Sequence, residues 1–171
     1  QAGVMTFVML LQSFLLLILV RLSPFALYPA GSPIPPDGAG LNPLLQDPWM
    51  VIHPPMLFVG FAATAIPAAF AMHALARGDS EDWVKGALPW TAFTVLMLGT
   101  PICLGGYWAY KVLGWGGYWG WDPVENGSLV PWLFSVALLH GLVVQAKRGI
   151  MKRLNLFLAI GSFMLVLYAT F

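Results

Sequence analysis

Charged residues are scarce in this sequence, and their scarcity excludes an ordinary soluble protein. Asp, Glu, Lys and Arg together make up 9% of the 171 residues, whereas soluble domains carry about 25%. Hydrophobic residues make up 59%, and the formal net charge is only +1. No basic stripe with interleaved aromatic residues occurs outside the predicted cytoplasmic helix ends, so a nucleic-acid partner is not expected. The composition predicts an integral membrane protein.

The sequence also has only one cysteine and no recognisable cleavable leader. Cys103 is the single cysteine, which excludes an internal disulfide and any redox cycle that needs a resolving cysteine within the chain. The first residues lack a basic segment and a small-residue cleavage site, so we expect no signal peptide. Because the sequence begins with Gln1 and ends inside an apolar run at Phe171, we expect it to be a piece of a longer chain.

Long apolar runs are what the sequence has in abundance. A helix needs about 20 apolar residues to cross a hydrocarbon core about 30 Å thick, and we count five such runs. The predicted fold is therefore all-α and integral to the membrane, with about five transmembrane helices. The predicted spans are Val4 to Val20, Pro54 to Ala76, Ala87 to Tyr107, Leu129 to Ala146 and Leu154 to Phe171.

The basic residues predict how these spans are oriented. Lys and Arg are enriched in loops on the cytoplasmic side. One side of the predicted bundle is flanked only by Arg21 and Lys111, so this side is predicted to face outward. The opposite side carries the larger set: Arg77, Lys85, Lys147, Arg148, Lys152 and Arg153.

The most unusual segment lies between the third and fourth runs and is rich in tryptophan and glycine. Indole and phenol rings on a glycine-rich backbone suit a large planar ligand better than they suit a buried core. We predict an external platform for haem at residues 108–128, within a single membrane domain spanning residues 1–171. The predicted cofactor-binding residues are aromatic rings, two glycines and two carboxylates: Trp115, Gly116, Gly117, Tyr118, Trp119, Trp121, Asp122 and Glu125.

Two histidines are candidate iron ligands. His53 precedes Pro54 and Pro55, and proline is favoured in the first turn of a helix, so we place His53 at the outer mouth of the second span. Its alternative role is that of a polar residue at the membrane interface. His140 lies about 17 Å into the fourth span at helical rise, where ionisable residues usually have a function. It is predicted to be an axial haem ligand or a relay for protons or electrons, and its alternative role is a neutral imidazole bonded to a neighbouring helix.

The third histidine, His73, is predicted to be structural because it lies near the cytoplasmic boundary. The three histidines differ in predicted depth by more than about 10 Å, whereas each nitrogen ligand sits about 2 Å from its metal. No two histidines of this chain are therefore expected to share one iron.

The carboxylates next to the aromatic segment are not expected to act as a catalytic pair. Their surroundings are tryptophan and apolar helix, without the polar groups that a hydrolase uses to bind its substrate. Asp122 is predicted to cap the following helix, with Pro123 at its first position and Glu125 at the favourable end of its dipole. The same capped turn is predicted to hold the indoles of Trp119 and Trp121.

The aromatic segment fits a known pattern. Its residues match the W-G-x-x-W-x-W-D-x-x-E motif of the haem-handling WWD proteins through Trp115-Gly116, Trp119, Trp121-Asp122 and Glu125. The flanks resemble the CcmF family of cytochrome c maturation haem lyases and their NrfE relatives, and differ from the CcsA type. The resemblance runs from about Asn42 to His140 and includes Leu45-Gln46-Asp47-Pro48, His53-Pro54-Pro55 and Pro131-Trp132-Leu133.

The resemblance implies a function in cytochrome c-type biogenesis, as part of a haem lyase complex in the bacterial inner membrane, with the WWD segment facing the periplasm. His53 would be an external ligand of the delivered haem, and His140 would be a transmembrane ligand of a resident haem b. The implied partners are a CcmE-like haem chaperone, a CcmH-like subunit, apocytochrome c with its CxxCH thiols, and quinol. The second axial histidines would come from further sequence or from another subunit.

Two other functions remain open at this point. A non-enzymatic haem-binding or haem-passage membrane protein would use the same platform without forming a bond. A structural subunit of a respiratory assembly would carry the tryptophans as an aromatic belt and the histidines incidentally.

Overall fold

The computed structural model describes residues 2–27, 29–33, 36, 38, 40–79 and 81–170. Within these residues the long elements are five helices, each long and apolar enough to cross a membrane. The predicted all-α membrane fold is thereby confirmed, while Phe171 lies outside the described residues. The helices are α1 (Ala2–Arg21), α2 (Pro48–Arg77), α3 (Trp83–Val112), α4 (Pro123–Arg148) and α5 (Lys152–Thr170), with a short 3₁₀ turn at Pro43–Leu45.

The start of α2 differs from the sequence prediction. Asp47 caps the helix by accepting a hydrogen bond from the Trp49 N–H, and Pro48 occupies the first turn. The predicted start at Pro54, with His53 at the helix mouth, was therefore wrong, and His53 lies in the second turn. The prediction took Pro54 and Pro55 as the first turn, but the helix contains both of them, and Asp47 followed by Pro48 is the cap and proline that begin it.

The start of α4 at Pro123 agrees with the predicted cap at Asp122 and lies before the apolar run predicted from Leu129. Asp122 caps this helix, as predicted, but the four residues before Leu129 are polar or small and so fall outside an apolar window. His140 consequently lies roughly 26 Å from the beginning of α4 and roughly 12 Å from its end. Its predicted depth of about 17 Å is correct for the apolar run but too small for the helix.

Four helices form a ring in which α2 packs against α3, α3 against α4, α4 against α5, and α5 against α2. The first helix packs on the outside of α2, where Gly3 lies against the ring of His73. Apart from Trp83, small and branched residues fill the core between these four helices. The helices can therefore approach closely without a large hydrophobic driving force. The core residues are Ala71, Ala74, Trp83, Val84, Ala87, Leu138, Leu142, Leu156 and Ala159.

The short connections make neighbouring helices antiparallel. The end of the bundle at which α2 and α4 begin is therefore also the end at which α3 finishes. The connection between α3 and α4, residues 113–122, contains all the predicted cofactor-binding residues except Glu125, which lies in the first turn of α4. We call this connection the aromatic loop.

Candidate functional site

A cavity of about 170 Å³ lies where the aromatic loop meets the ends of α2, α3 and α4. We call it the His53 cleft. It brings together five of the predicted site residues, which come from three parts of the sequence: His53, Trp115, Trp119, Asp122 and Glu125. The remainder of its lining is mostly apolar and comprises Leu57, Ile102, Gly105, Gly106, Trp108, Ala109, Leu113, Val124 and Ser128.

The imidazole of His53 is held by the neighbouring helix. Its Nδ1 lies 2.7 Å from the carbonyl oxygen of Pro101 in α3. A carbonyl oxygen can only accept, so this bond places the proton on Nδ1 and leaves the lone pair on Nε2. Metal-binding histidines are commonly oriented in this way, with one nitrogen donating to a carbonyl and the other free to bind the metal.

Two tryptophans of the aromatic loop line the cleft. The ring of Trp115 lies over the backbone at Gly120, which has no side chain to obstruct it. The indole nitrogen of Trp119 is buried and has no hydrogen-bond partner among the described residues. A buried donor without a partner is costly, by about 1–3 kcal/mol, so this N–H is a candidate contact for a ligand with an acceptor group.

Other predicted platform residues lie outside the cleft. The ring of Tyr118 is stacked on Tyr110, with centroids 4.3 Å apart and planes within 5°. Trp121 is 71% exposed and meets Trp119 edge to face at 6.3 Å. Gly116 and Gly117 are also absent from the cleft lining and shape the loop at a distance from His53.

The two carboxylates of the loop hold its backbone. Asp122 accepts a hydrogen bond from the Glu125 N–H at 2.7 Å, and Glu125 accepts one from the Gly120 N–H at 2.7 Å. The side chain of Asn126 donates to the carbonyl of Trp121 at 3.1 Å. The predicted cap is confirmed, and these bonds fix the backbone on both sides of Trp121. Both carboxylates thus bond the backbone of the loop and of the first turn of α4.

The segment before α2 is fastened to the end of α3. Asp47 forms an ion pair with Lys111 at 2.7 Å, and the indole N–H of Trp108 donates to the Leu44 carbonyl at 3.2 Å. The hydrogen bond from Lys111 holds the pKa of the Asp47 carboxyl below its usual value. Because Asp47 precedes His53 by less than two helical turns, this clamp helps to hold the helix that carries His53.

His140 lies in different surroundings. It is exposed on α4, and its Nδ1 lies 2.8 Å from the carbonyl of Val136 in the same helix. Glu125 of the cleft lies on the same helix, fifteen positions earlier, which corresponds to roughly 22 Å of helical rise. His53 and His140 therefore do not approach one iron, as the sequence predicted.

The cleft fits part of a porphyrin. Ligand pockets that enclose a whole small molecule have volumes of about 300–1,000 Å³, and the His53 cleft is smaller. Its free imidazole nitrogen, two indole walls and unpartnered N–H suit one edge and the metal of a haem, with the rest of the macrocycle outside. Among the described residues, no group of three metal-ligating side chains offers a conventional metal site.

Sequence reasoning missed two residues that shape the cleft, Gly105 and Gly106. A pair of glycines inside an apolar helical run is a signal, because glycine is disfavoured there unless packing requires it. The carbonyl of Pro101 gave no signal, since a backbone acceptor is not recognisable from residue type.

Known proteins resemble this chain along its whole length. A family model described as "Cytochrome C assembly protein" matches residues 1–171. The CcmF cytochrome c-type biogenesis protein of Pseudomonas aeruginosa is 44% identical over 164 residues, covering 95% of this chain and 25% of that protein. The corresponding CcmF of Escherichia coli K12 is 44% identical over 159 residues, covering 92% of this chain and 24% of that protein.

Two further similarities agree with these. The probable NrfE protein of Escherichia coli K12 is 41% identical over 170 residues, covering 95% of this chain and 29% of that protein. A solved structure titled "Cytochrome c Heme Lyase CcmF" is 40% identical with a TM-score of 0.69, covering 74% of this chain and 22% of that one.

The chain spans about a quarter of the length of the curated relatives it matches. The matches include the first and last helices, for which the sequence offered only apolar character. Together with five helices able to cross a bilayer, they show an integral membrane protein. The predicted resemblance is confirmed, and with it cytochrome c-type biogenesis at the level of the family. Because the family model matches from one end to the other and the quoted relatives exceed 40% identity, the chain belongs to the cytochrome c assembly protein family, among its CcmF and NrfE members.

Proposed function

We propose that this chain binds haem in the His53 cleft, at the outer face of a bacterial inner membrane, and presents it for attachment to apocytochrome c. The observation that carries the proposal is the meeting of His53 with Trp115 and Trp119 in one cavity. The imidazole there is oriented by Pro101 so that Nε2 is free. These are the groups that an iron and a porphyrin edge require.

Each residue has a stated task in this proposal. His53 binds the iron of the substrate haem through Nε2. Trp115 and Trp119 contact one edge of the macrocycle, and the Trp119 N–H donates to a haem carboxylate. Asp122 and Glu125 keep the loop in place through their backbone bonds. The contribution of the protein is positioning of the reactants.

The open side of the cleft is what makes presentation possible. A macrocycle held by one edge leaves its vinyl groups accessible to the CxxCH thiols of an incoming apocytochrome. Each thioether forms when an S–H group adds across a vinyl double bond, so no atom is lost and no oxidant is consumed. The thiols belong to the client, since Cys103 is the single cysteine of this chain.

The second candidate haem in this proposal is a resident haem b near His140. This haem, when bound, would supply the electron that keeps the delivered iron reduced, with quinol as the donor. Because His140 is exposed on α4, its haem and the second ligand would lie outside the five helices described. We propose that a further part of the protein or another subunit supplies that ligand, and likewise a second ligand for the iron at His53.

The remaining partners follow from the same scheme. A CcmE-like chaperone would deliver haem to the cleft, and a CcmH-like subunit would present the apocytochrome. Haem passage without bond formation is the second candidate function. It would use the same cleft, because His53, Trp115 and Trp119 would hold haem whether or not a bond is then formed.

The test compares His53→Ala with the wild-type protein in its native membrane assembly, supplied with haem and an apocytochrome. We expect the variant to lose most of its covalent cytochrome product, measured as haem absorbance that resists acid-acetone extraction. A wild-type assembly that binds haem but yields no such product would support haem passage. Equal haem binding and equal product in both proteins would contradict the proposed site.

A further inference from the structure

We propose that Gly105 and Gly106 of α3 are positioning residues, each setting one wall of the His53 cleft. Gly105 sets the position of the His53 ring, and Gly106 sets the position of the aromatic loop. The inference rests on the proposed function in one respect, namely that the cleft receives haem.

The two glycines need a packing reason. Each lies inside a 30-residue helix, where glycine costs about 0.5–1 kcal/mol relative to alanine. A Cβ atom at Gly105 would lie 2.5 Å from Cε1 and 2.8 Å from Nδ1 of His53. A Cβ atom at Gly106 would lie 3.0 Å from the carbonyl oxygen of Tyr118. The first distance requires the ring to move, whereas the second requires only a small shift of the loop.

The first contact controls which nitrogen of His53 is free. In a regular helix the Gly105 N–H bonds the Pro101 carbonyl, four residues earlier, and the Nδ1–H of His53 uses the same oxygen. A methyl group at position 105 would lie 2.5 Å from Cε1 and 2.8 and 2.9 Å from Nδ1 and Nε2 of the ring, so the ring would have to move from its place beside that oxygen. The ring would then lose its 2.7 Å bond, and with it the preference for a proton on Nδ1.

The second contact controls how close the indoles come. The backbone of Tyr118 rests against Gly106, while its ring is stacked on Tyr110 one turn further along α3. Tyr118 is the neighbour of Trp119, whose indole lines the cleft. A methyl group at position 106 would move this wall outward and leave the His53 ring in place.

The same helix provides a matched control. A Cβ atom at Gly99 would lie 2.7 Å from the indole nitrogen of Trp132, a contact almost as tight as the 2.5 Å at Gly105. Gly99 is not part of the cleft lining. Gly99→Ala therefore tests whether any tight contact on α3 gives the same result.

The experiment uses the native assembly purified from membranes. Nitrogen NMR of ¹⁵N-labelled histidine, without added haem, reports which ring nitrogen of His53 carries the proton, with His53→Gln for assignment. Haem titration, followed by optical absorbance, then reports binding at the cleft. We expect Gly105→Ala to remove the Nδ1–H preference and to weaken haem binding about 10–100-fold, the usual effect of losing a group that orients a metal ligand.

We expect Gly106→Ala to weaken haem binding less, with the His53 proton unmoved, and Gly99→Ala to change neither. An unchanged His53 signal and unchanged binding in Gly105→Ala would overturn the inference, as would equal changes in Gly99→Ala. If Gly105→Ala does not accumulate in the membrane, Gly106→Ala provides the test. Wild-type haem binding in Gly106→Ala would contradict the inference that Gly106 positions the aromatic loop. A shifted His53 proton in Gly105→Ala, together with normal haem binding in His53→Ala, would refute the proposed function alone.

Discussion

The surroundings of His53 and His140 differ in which helix orients the imidazole. Both rings use Nδ1 to bond a backbone carbonyl, but Pro101 belongs to a neighbouring helix, whereas Val136 lies one turn earlier on the helix of His140 itself. The orientation of His53 therefore depends on how α2 packs on α3. The orientation of His140 depends on α4 alone, and its ring is exposed on the surface of the helix bundle. His53 lines a cleft formed by several elements, whereas His140 lies exposed on a single helix.

The largest expected effect separates the two regions directly. His140→Ala should abolish the b-type haem spectrum of the native assembly, because it removes the proposed axial ligand, and should leave the helical fold intact. His53→Ala should leave that spectrum unchanged. Reduced-minus-oxidised absorbance and circular dichroism of the purified assembly check both. An unaltered spectrum in His140→Ala would remove the assignment, and loss of the spectrum in both variants would show that the two regions are not independent.

A smaller effect concerns the cleft alone. Trp119→Phe keeps an aromatic wall and removes the unpartnered indole N–H. We expect haem binding at the cleft to weaken about 10–150-fold, since a hydrogen bond to a charged group contributes about 1.5–3 kcal/mol. We also expect the haem-free protein to unfold at an equal or higher temperature, because a buried unpaired donor has been removed.

Haem titration and thermal unfolding of Trp119→Phe measure these two quantities. Trp90→Phe is the control, since Trp90 is an exposed tryptophan of α3 outside the cleft lining. Wild-type haem affinity in Trp119→Phe would show that the N–H makes no contact with the ligand.

The smallest effect comes from the clamp at Asp47. Its pKa is lowered from an ordinary 3.8 by Lys111, so the clamp stabilises the folded protein above that pH and is lost as pH falls through the lower folded value. Asp47→Asn should keep the helix cap, because asparagine caps equally well, and remove the ion pair. We expect its unfolding temperature to fall by a few degrees at most near neutral pH.

Thermal unfolding of the wild type and Asp47→Asn, followed from neutral pH into acid, measures the clamp. The difference between the two proteins should disappear as the pH falls below 3.8. A difference that persists unchanged in acid would assign the effect to the cap and not to the ion pair. The haem absorbance that depends on His140 should be the same in the wild type and in Asp47→Asn, because the clamp lies in the other of the two regions.

The sequence predicted the helical membrane fold because span length and hydrophobicity are set by the bilayer itself. It predicted the cap at Asp122 because the residue types that satisfy a helix start are few. It misplaced the beginning of α2 because Pro54 and Pro55, which lie inside the helix, were taken as its first turn. His53 therefore lies in the second turn of α2 and not at its mouth, although it occupies the predicted end of the bundle.

The details of the site were less accessible to sequence reasoning. Five predicted residues do line one cleft, but the separation of Tyr118 and Trp121 from it depends on how the loop folds back on α3. The acceptor for His53 is a main-chain oxygen, and such partners depend on packing between helices distant in sequence. The haem-binding and metal-binding roles of the predicted residues remain predictions.

The backbone at Trp121 has a practical consequence for engineering. Its φ of 57° lies in the left-handed region, where a residue other than glycine costs about 1–2 kcal/mol. A screen that rewards heat resistance alone would therefore favour glycine or asparagine here and discard a large, outward-facing indole. Variants selected in this way would gain a less strained turn before α4 and would lose the exposed indole of Trp121. Heat resistance is therefore a poor guide to any role of that indole.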